Sequence, residues 1–149
     1  MLKIVGFGSG AKDNMTLEAF AAISDAKLIV GYKTYVNILK QYFPEKEYYY
    51  TDMMQEKERC QYAIDKAEEG LEVVLVCSGD SGIYGMAGLV YELAQKRVQI
   101  KVISGVTAAS SGAAILGAPL SHDFAVISLS DCMTCLLYTS PSPRDTERS

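Results

Sequence analysis

The chain has 149 residues, of which 49% are apolar and 21% charged, with 12 glycines, 4 prolines and no tryptophan. A chain of this length buries roughly 68–70% of the surface its unfolded form exposes, so one domain with a true core is expected, and collagen-like, coiled-coil and disordered compositions are excluded. The 14 Lys and Arg against 18 Asp and Glu leave a net charge of −4. That balance speaks against a nucleic-acid partner, which would require a basic surface to displace counterions from phosphates.

The N-terminus, MLKIVGFGSG, lacks the basic segment and long apolar run of a secretory signal. No apolar stretch approaches the ~18 residues that span a bilayer, so no membrane partner is expected. Cys60 and Cys77 sit inside apolar patterns and read as buried free thiols, which fits a cytoplasmic chain.

Residues 2–7 form a β-branched run ending in glycines, which predicts a first strand. A helix follows from near Thr16, whose hydroxyl can cap the first amides while Glu18 favours the helix dipole. The apolar run 28–31 predicts a second strand. Tyr32, Tyr35, Val36, Leu39, Tyr42 and Phe43 then recur at helical spacing until Pro44. Cys60, Ala63, Ile64 and Ala67 make another helical stripe, with Gly70 as its left-handed terminator. Further along, the pattern predicts a strand at 73–77, a glycine turn at 78–82 and a helix from Ile83 to about Gln95. A strand at 98–103, a helix from about Val106 to Leu116 and a last strand at 124–129 complete the alternation. Short strands apolar on both faces, alternating with helices, predict an α/β fold with a mostly parallel sheet covered by helices on both faces.

From Cys132 onward neither period is sustained and the last ten residues are polar, the pattern of a disordered tail. Cys132 and Cys135 form one CxxC without a second pair or a histidine partner, so no metal site is expected. The Tyr48-Tyr49-Tyr50 run reads as a sheet edge rather than a stacking platform.

Residues 6–11, GFGSGA, satisfy the letters of a dinucleotide-binding fingerprint after a strand. Against an NAD-binding module, Lys12, Asp13 and Asn14 intervene before the capping Thr16, and the second strand ends in Gly31 and Tyr32 rather than in an acid. Gly79-Asp80-Ser81-Gly82 echoes the nucleophile loop of chymotrypsin-like proteases. Those are all-β proteins with a histidine upstream of the serine, whereas the one histidine here, His122, lies downstream. What remains are glycine-rich loops at predicted strand ends, 78–82 and 104–108, each leading into a helix. There an open α/β sheet binds ligands. A flat, polar-edged ligand such as an adenosine fits such loops, its hydroxyls met by Asp80; simple tight turns are the alternative.

At these loops the sequence resembles the tetrapyrrole (corrin/porphyrin) methyltransferases that use S-adenosylmethionine. The residues that carry the resemblance are GFGSG (6–10), MTLEA (15–19), GYKTYV (31–36), CSGDSGIYGMAGLVYEL (77–93) and ISGVTAASSGAAILGAPLSHDFAVISLSD (103–131). The GYKTYV, GIYGMAG and GAPLSHDFAVISLSD runs are most similar to the branch that methylates C-17 and contracts the ring in cobalamin synthesis. Another corrin position, or diphthine synthesis, is the alternative within the family. The resemblance implies S-adenosyl-L-methionine as cofactor, held by Ser78, Gly79, Asp80, Ile83, Tyr84, Gly85, Thr107 and Ala108. It implies a tetrapyrrole substrate, precorrin-3B or cobalt-factor III, in a cleft lined by Gly6, Gly8, Ser9 and Gly10. Superfamily members often carry proline where this chain has Ser9, Ser81 and Ser104. Ring contraction needs proton transfers, for which His122, Asp123, Asp80 and Tyr84 are candidates with no choice among them. The resemblance also implies that residues 1–131 are the N-terminal domain of a two-domain enzyme, homodimeric at full length, with the site between domains. The second domain is missing here, and residues 132–149 do not resemble the family's continuation and read as a foreign tail. The chain alone is therefore expected to bind cofactor weakly and to turn over nothing.

Overall fold

A computed structural model of the chain describes residues 1–128. Five strands form one sheet: β1 (Leu2–Gly6), β2 (Leu28–Tyr32), β3 (Glu47–Thr51), β4 (Val73–Cys77) and β5 (Ile100–Ile103). They lie in the order β3-β2-β4-β1-β5, and every pairing is parallel. Parallel neighbours need long crossovers. These are made by α1 (Leu17–Asp25), α2 (Lys33–Leu39), α3 (Glu56–Glu68) and α4 (Ala87–Ala94), with α5 (Ala108–Leu116) following β5.

The two-residue side-chain period of a strand divides the core into two layers. On one face Leu2, Ile4, Leu28, Val30, Val73, Leu75 and Cys77 pack against Cys60, Ala63, Ile64 and Ala67 of α3 and Val90 and Ala94 of α4. On the other, Val5, Ile29, Val74, Val76 and Ile103 meet Ala19, Ala22 and Ile23 of α1, Leu39 of α2, and Phe43. Each fully buried Val, Leu or Ile contributes roughly 1.5–3 kcal/mol relative to exposure. The expected α/β architecture, with helices on both faces, is the one observed.

Several local expectations hold in detail. Thr16 caps α1, accepting from the Ala19 amide at 3.1 Å. Gly70 terminates α3 at φ +93°, with Gly70 N donating to Ala67 O and Leu71 N to Lys66 O, the paired bonds of a left-handed cap. The three tyrosines lie on β3, an outer strand of the sheet, where Tyr49 stacks on Tyr62 of α3 with ring centroids 3.6 Å apart.

Other boundaries move. The helix expected from Ile83 begins at Ala87, because the Asp80 carboxylate takes the Gly82 and Ile83 amides and holds them in a turn. The strand expected from Val98 begins at Ile100, after Gln95 and Lys96 adopt positive φ. The last helix starts at Ala108 rather than Val106, since Thr107 is still extended. The strand expected at 124–129 is not formed over 124–128, which carry neither helix nor strand. An apolar run has strand propensity, but only a second strand can supply the ladder that makes it one. The CxxC, Leu129 and the whole 132–149 tail lie outside the described residues.

Chain contacts divide into the unit Met1–Pro119, which holds every named element, and a second unit from Leu120. Among the described residues no helix is long and apolar enough to cross a membrane.

Cys60 and Cys77 are buried free thiols, as expected. Burial pushes Cys60 from 9.0 up to about 12 and Cys77 from 9.0 up to about 11. A thiol held neutral by the fold contributes stability that is complete below its unfolded value and is lost as pH rises through its folded value. The urea midpoint should therefore hold up to pH 9 and fall between pH 9 and 12. The fall should be shallower in Cys77→Ala; an equal slope in both proteins would remove Cys77 as a cause.

Candidate active site at the carboxyl edge of the sheet

The chain leaves β1 through α1 on one face of the sheet and leaves neighbouring β4 through α4 on the other. Adjacent parallel strands whose crossovers part in this way open a crevice at their carboxyl ends, the usual ligand position in open α/β sheets. Three glycine-bearing loops meet there: 6–10 after β1, 78–85 after β4 and 104–107 after β5.

They meet backbone to backbone. Phe7 N donates to Cys77 O at 3.0 Å, Gly8 N to Gly79 O at 3.1 Å and Gly79 N to Gly8 O at 2.8 Å. A Cβ on Gly105 would lie 2.2 Å from Gly79 O and 2.4 Å from Gly6 O, and one on Gly6 would lie 2.6 Å from Gly79 O. No side chain fits at that point. Gly85 is confined in the same way, its Cβ position 2.2 Å from Ser81 O.

Polar side chains lock the loops together. Asp80 Oδ1 accepts from Gly82 N at 2.8 Å and Ile83 N at 3.2 Å, and Oδ2 accepts from Gly105 N at 2.9 Å. One carboxylate thus shapes its own loop and ties it to the loop after β5. Buried Ser81 donates to Ile103 O at 3.0 Å, so the hydroxyl at this position bonds to the end of β5. Thr16 adds a second bond to its capping role, donating to Ser104 O at 3.3 Å. Asn14 Nδ2 donates to Ser9 Oγ at 2.9 Å.

Of the residues named for the cofactor, Ser78, Ile83, Tyr84 and Ala108 are exposed, Gly79, Asp80, Gly85 and Thr107 are half-buried, and all lie on these converging loops. Tyr84 is held at φ +53°, a left-handed conformation unusual for an aromatic residue. Of the residues named for the substrate cleft, Gly6, Gly8 and Gly10 are buried, and Ser9 is the exposed member. His122 and Asp123 are exposed and fall in the second unit, on a stretch without helix or strand. Among the described residues no group of three His, Cys, Asp or Glu is placed to hold a metal.

Sequence reading missed the bridging bonds of Asp80 and Thr16, because each joins segments distant in the chain, and the short-range bond of Asn14 to Ser9, which no periodic pattern announces. It also missed Arg59, whose side chain is 2% exposed. Arg59 donates through Nη1 to Thr51 Oγ1 at 2.5 Å and to Asp52 O at 3.2 Å. Nothing in a hydrophobic stripe distinguishes a buried arginine beside it from a solvated one.

A family model for tetrapyrrole (corrin/porphyrin) methylases matches residues 1–148. The chain belongs to this family. It is 49% identical over 137 residues to a probable cobalt-factor III C(17)-methyltransferase of Salmonella typhimurium, a match covering 90% of this chain and 57% of that protein. The crystal structure of the methyltransferase CobJ superposes with a TM-score of 0.80 at 36% identity, over 89% of this chain and 57% of that one. A uroporphyrin-III C-methyltransferase of Thermus thermophilus, solved with S-adenosylhomocysteine, superposes with a TM-score of 0.64 at 25% identity, over 82% of this chain and 53% of that one. The chain thus spans little more than half the length of these relatives. At residues 6–11 a 3-10 turn (Lys12–Asn14) separates the glycines from α1, and Gly8 pairs with Gly79 instead of opening a helix, unlike a dinucleotide-binding fingerprint.

Gly105→Ala should cost about 3 kcal/mol or more in chemical denaturation, because the added carbon overpacks two carbonyls. Gly112→Ala, within α5 and with no atom within 4 Å of its Cβ position, should instead gain up to about 1 kcal/mol. Equal effects at the two positions would refute the convergence as a packing constraint. Asp80→Ala should cost about 2 kcal/mol or more, since three backbone amides lose a charged acceptor.

Proposed function

We propose that this chain supplies the N-terminal half of an S-adenosylmethionine-dependent C17-methyltransferase that contracts the ring in cobalamin synthesis. Its substrate would be precorrin-3B or cobalt-factor III. The observation that carries the reading is the meeting of three glycine loops at the crevice between β4 and β1, in a chain so similar to cobalt-factor III methyltransferases.

The cofactor residues of this reading are Ser78, Gly79, Asp80, Ile83, Tyr84 and Gly85 from one loop and Thr107 and Ala108 from the other. The donor set suits a nucleoside with a polar edge. Small side chains offer close backbone approach, and Ser78 and Thr107 add hydroxyls. Bound there, S-adenosylmethionine brings a methyl group on a sulfonium that is its own leaving group. The protein's part is then alignment and exclusion of water rather than activation of a nucleophile. Asp80 acts by holding both loops in register, and Ile83 and Tyr84 present apolar surface beside them. Ser9 is the residue of the first loop that faces outward to a tetrapyrrole. None of Asp80, Tyr84, His122 and Asp123 is assigned the proton transfers.

The same reading takes residues 1–131 as one domain, 132–149 as a tail outside it, and the complete enzyme as a cytoplasmic homodimer with a second domain closing the cleft. If a second domain closes the site, these 149 residues alone should show no methyl transfer to a cobalt-isobacteriochlorin. Measurable turnover would overturn the two-domain requirement. Genomic DNA downstream of the Asp131 codon should encode a second α/β domain, and a native reading frame for residues 132–149 would refute the boundary.

Calorimetry on the chain extended to full length separates the ligand classes. S-adenosylhomocysteine should bind and NAD should not; the reverse result would sink the methyltransferase reading.

A further inference from the structure

Beyond the glycine loops, the carboxyl edge of the sheet carries a second built feature, the turn at 51–55 that joins β3 to α3. Its two methionines point outward: Met53 is 67% exposed and Met54 88%. Exposed apolar side chains usually sit on undemanding backbone, but Met54 is held at φ +68°, a conformation costing roughly 1–3 kcal/mol outside glycine. Four interactions keep it there. Arg59, almost wholly buried, donates to Thr51 Oγ1 and Asp52 O. The Asp52 amide donates to Gln55 Oε1 at 2.9 Å, and the Asp52 carboxylate lies 4.0 Å from Lys33 Nζ. A turn so thoroughly tied presents its methionines in one fixed place.

That place is joined to the first glycine loop by a chain of aromatic contacts. Arg59 lies 5.9 Å from the Tyr32 ring centroid, Tyr32 makes an edge contact with Tyr35 at 5.2 Å, and Tyr35 makes another with Phe7 at 5.6 Å. Phe7 belongs to the 6–10 loop. The strands that carry the two ends, β3 and β1, are three positions apart, which is ~14 Å at the usual strand spacing. That is about the breadth of a tetrapyrrole with its side chains.

We propose that the 51–55 turn is the far wall of the tetrapyrrole cleft, with Met53 and Met54 in contact with the apolar face of the macrocycle. This rests on the methyltransferase reading above and adds residues to its substrate site. The thioether is suited to the task, being polarizable, adaptable in shape and favourable against aromatic rings. The carboxylated rim of the macrocycle then stays at the wet edge, near Lys33.

The test uses the chain extended to full length, labelled with [methyl-13C]methionine and titrated with uroporphyrin. Ring currents should shift the Met53 and Met54 methyl signals, assigned by single substitution, more than those of Met15 and Met86. Met54→Gly relieves the left-handed strain and so should keep or raise the thermal midpoint, yet weaken uroporphyrin binding by about three- to tenfold. Shifts confined to Met86 or Met15, or undiminished binding by Met54→Gly, would overturn the far-wall assignment and leave the methyltransferase reading standing. An absence of any uroporphyrin-dependent change in methyl signals or Soret band would overturn both. Met53 and Met54 signals that follow protein concentration instead of uroporphyrin would assign the turn to contact between copies of the chain, and the proposal would fall.

Discussion

The structure depends on one contact: the backbones of Gly6, Gly79 and Gly105 approach too closely for any side chain to stand between them. Strands β4, β1 and β5 end side by side, and the three loops must leave the sheet in different directions from that one spot. Removing the Cβ lets the carbonyls of Gly6 and Gly79 reach van der Waals distance of the third loop. The remaining backbone groups then pair directly, as Gly8 and Gly79 do. Rigid loops at a sheet's carboxyl edge are the starting condition for holding a small ligand.

Around that contact, charge and hydroxyl groups hold in place what glycine permits. Asp80 is the centre of this second layer, since its two oxygens accept from loops 25 residues apart. Ser81 and Thr16 add bonds to the end of β5 and the loop after it, and Asn14 braces Ser9 within the segment after β1. Two serines of these loops place their own hydroxyls in the network. Ser81 anchors to the end of β5, and Ser9 accepts from Asn14. Rigidity that a proline ring would impose on φ is supplied here by hydrogen bonds.

Far from the glycines, the same edge is stiffened by a different means. Arg59 places a charge inside the protein, where desolvation is expensive, and offsets that cost with Thr51, the Asp52 carbonyl, Glu56 and the Tyr32 ring. Among the described residues its Nε has no hydrogen-bond partner. Retaining such a residue for packing alone is hard to rationalise, because an apolar side chain of similar volume often serves as well or better. It makes sense where a turn must be presented rigidly.

The layered α/β fold was legible in the chain because its causes are local or periodic. Strands apolar on both faces, the stripe Cys60, Ala63, Ile64 and Ala67, the cap at Thr16 and the terminator at Gly70 each announce themselves within a few residues. The positions of the glycine loops were equally legible, and so was the edge placement of the tyrosines. Contacts between distant segments were not. Asp80 could be read as a ligand-facing acid, but only the fold shows its carboxylate bound to Gly105. Helix α4 starts later than its apolar pattern because that carboxylate competes for the amides. The stretch at 124–128 has the composition of a strand without becoming one, because a ladder is a property of two segments.

The amino-acid pattern of these 149 residues, with its 12 glycines, thus determined a good deal on its own: an α/β domain, most of its element order and the loops that matter. What it left to the tertiary structure was the reason for those glycines. Gly112 and Gly105 are alike in sequence, each flanked by small residues, yet one has open space about it and the other two carbonyls. Packing distance depends on what the rest of the chain brings alongside, and no local pattern carries that information.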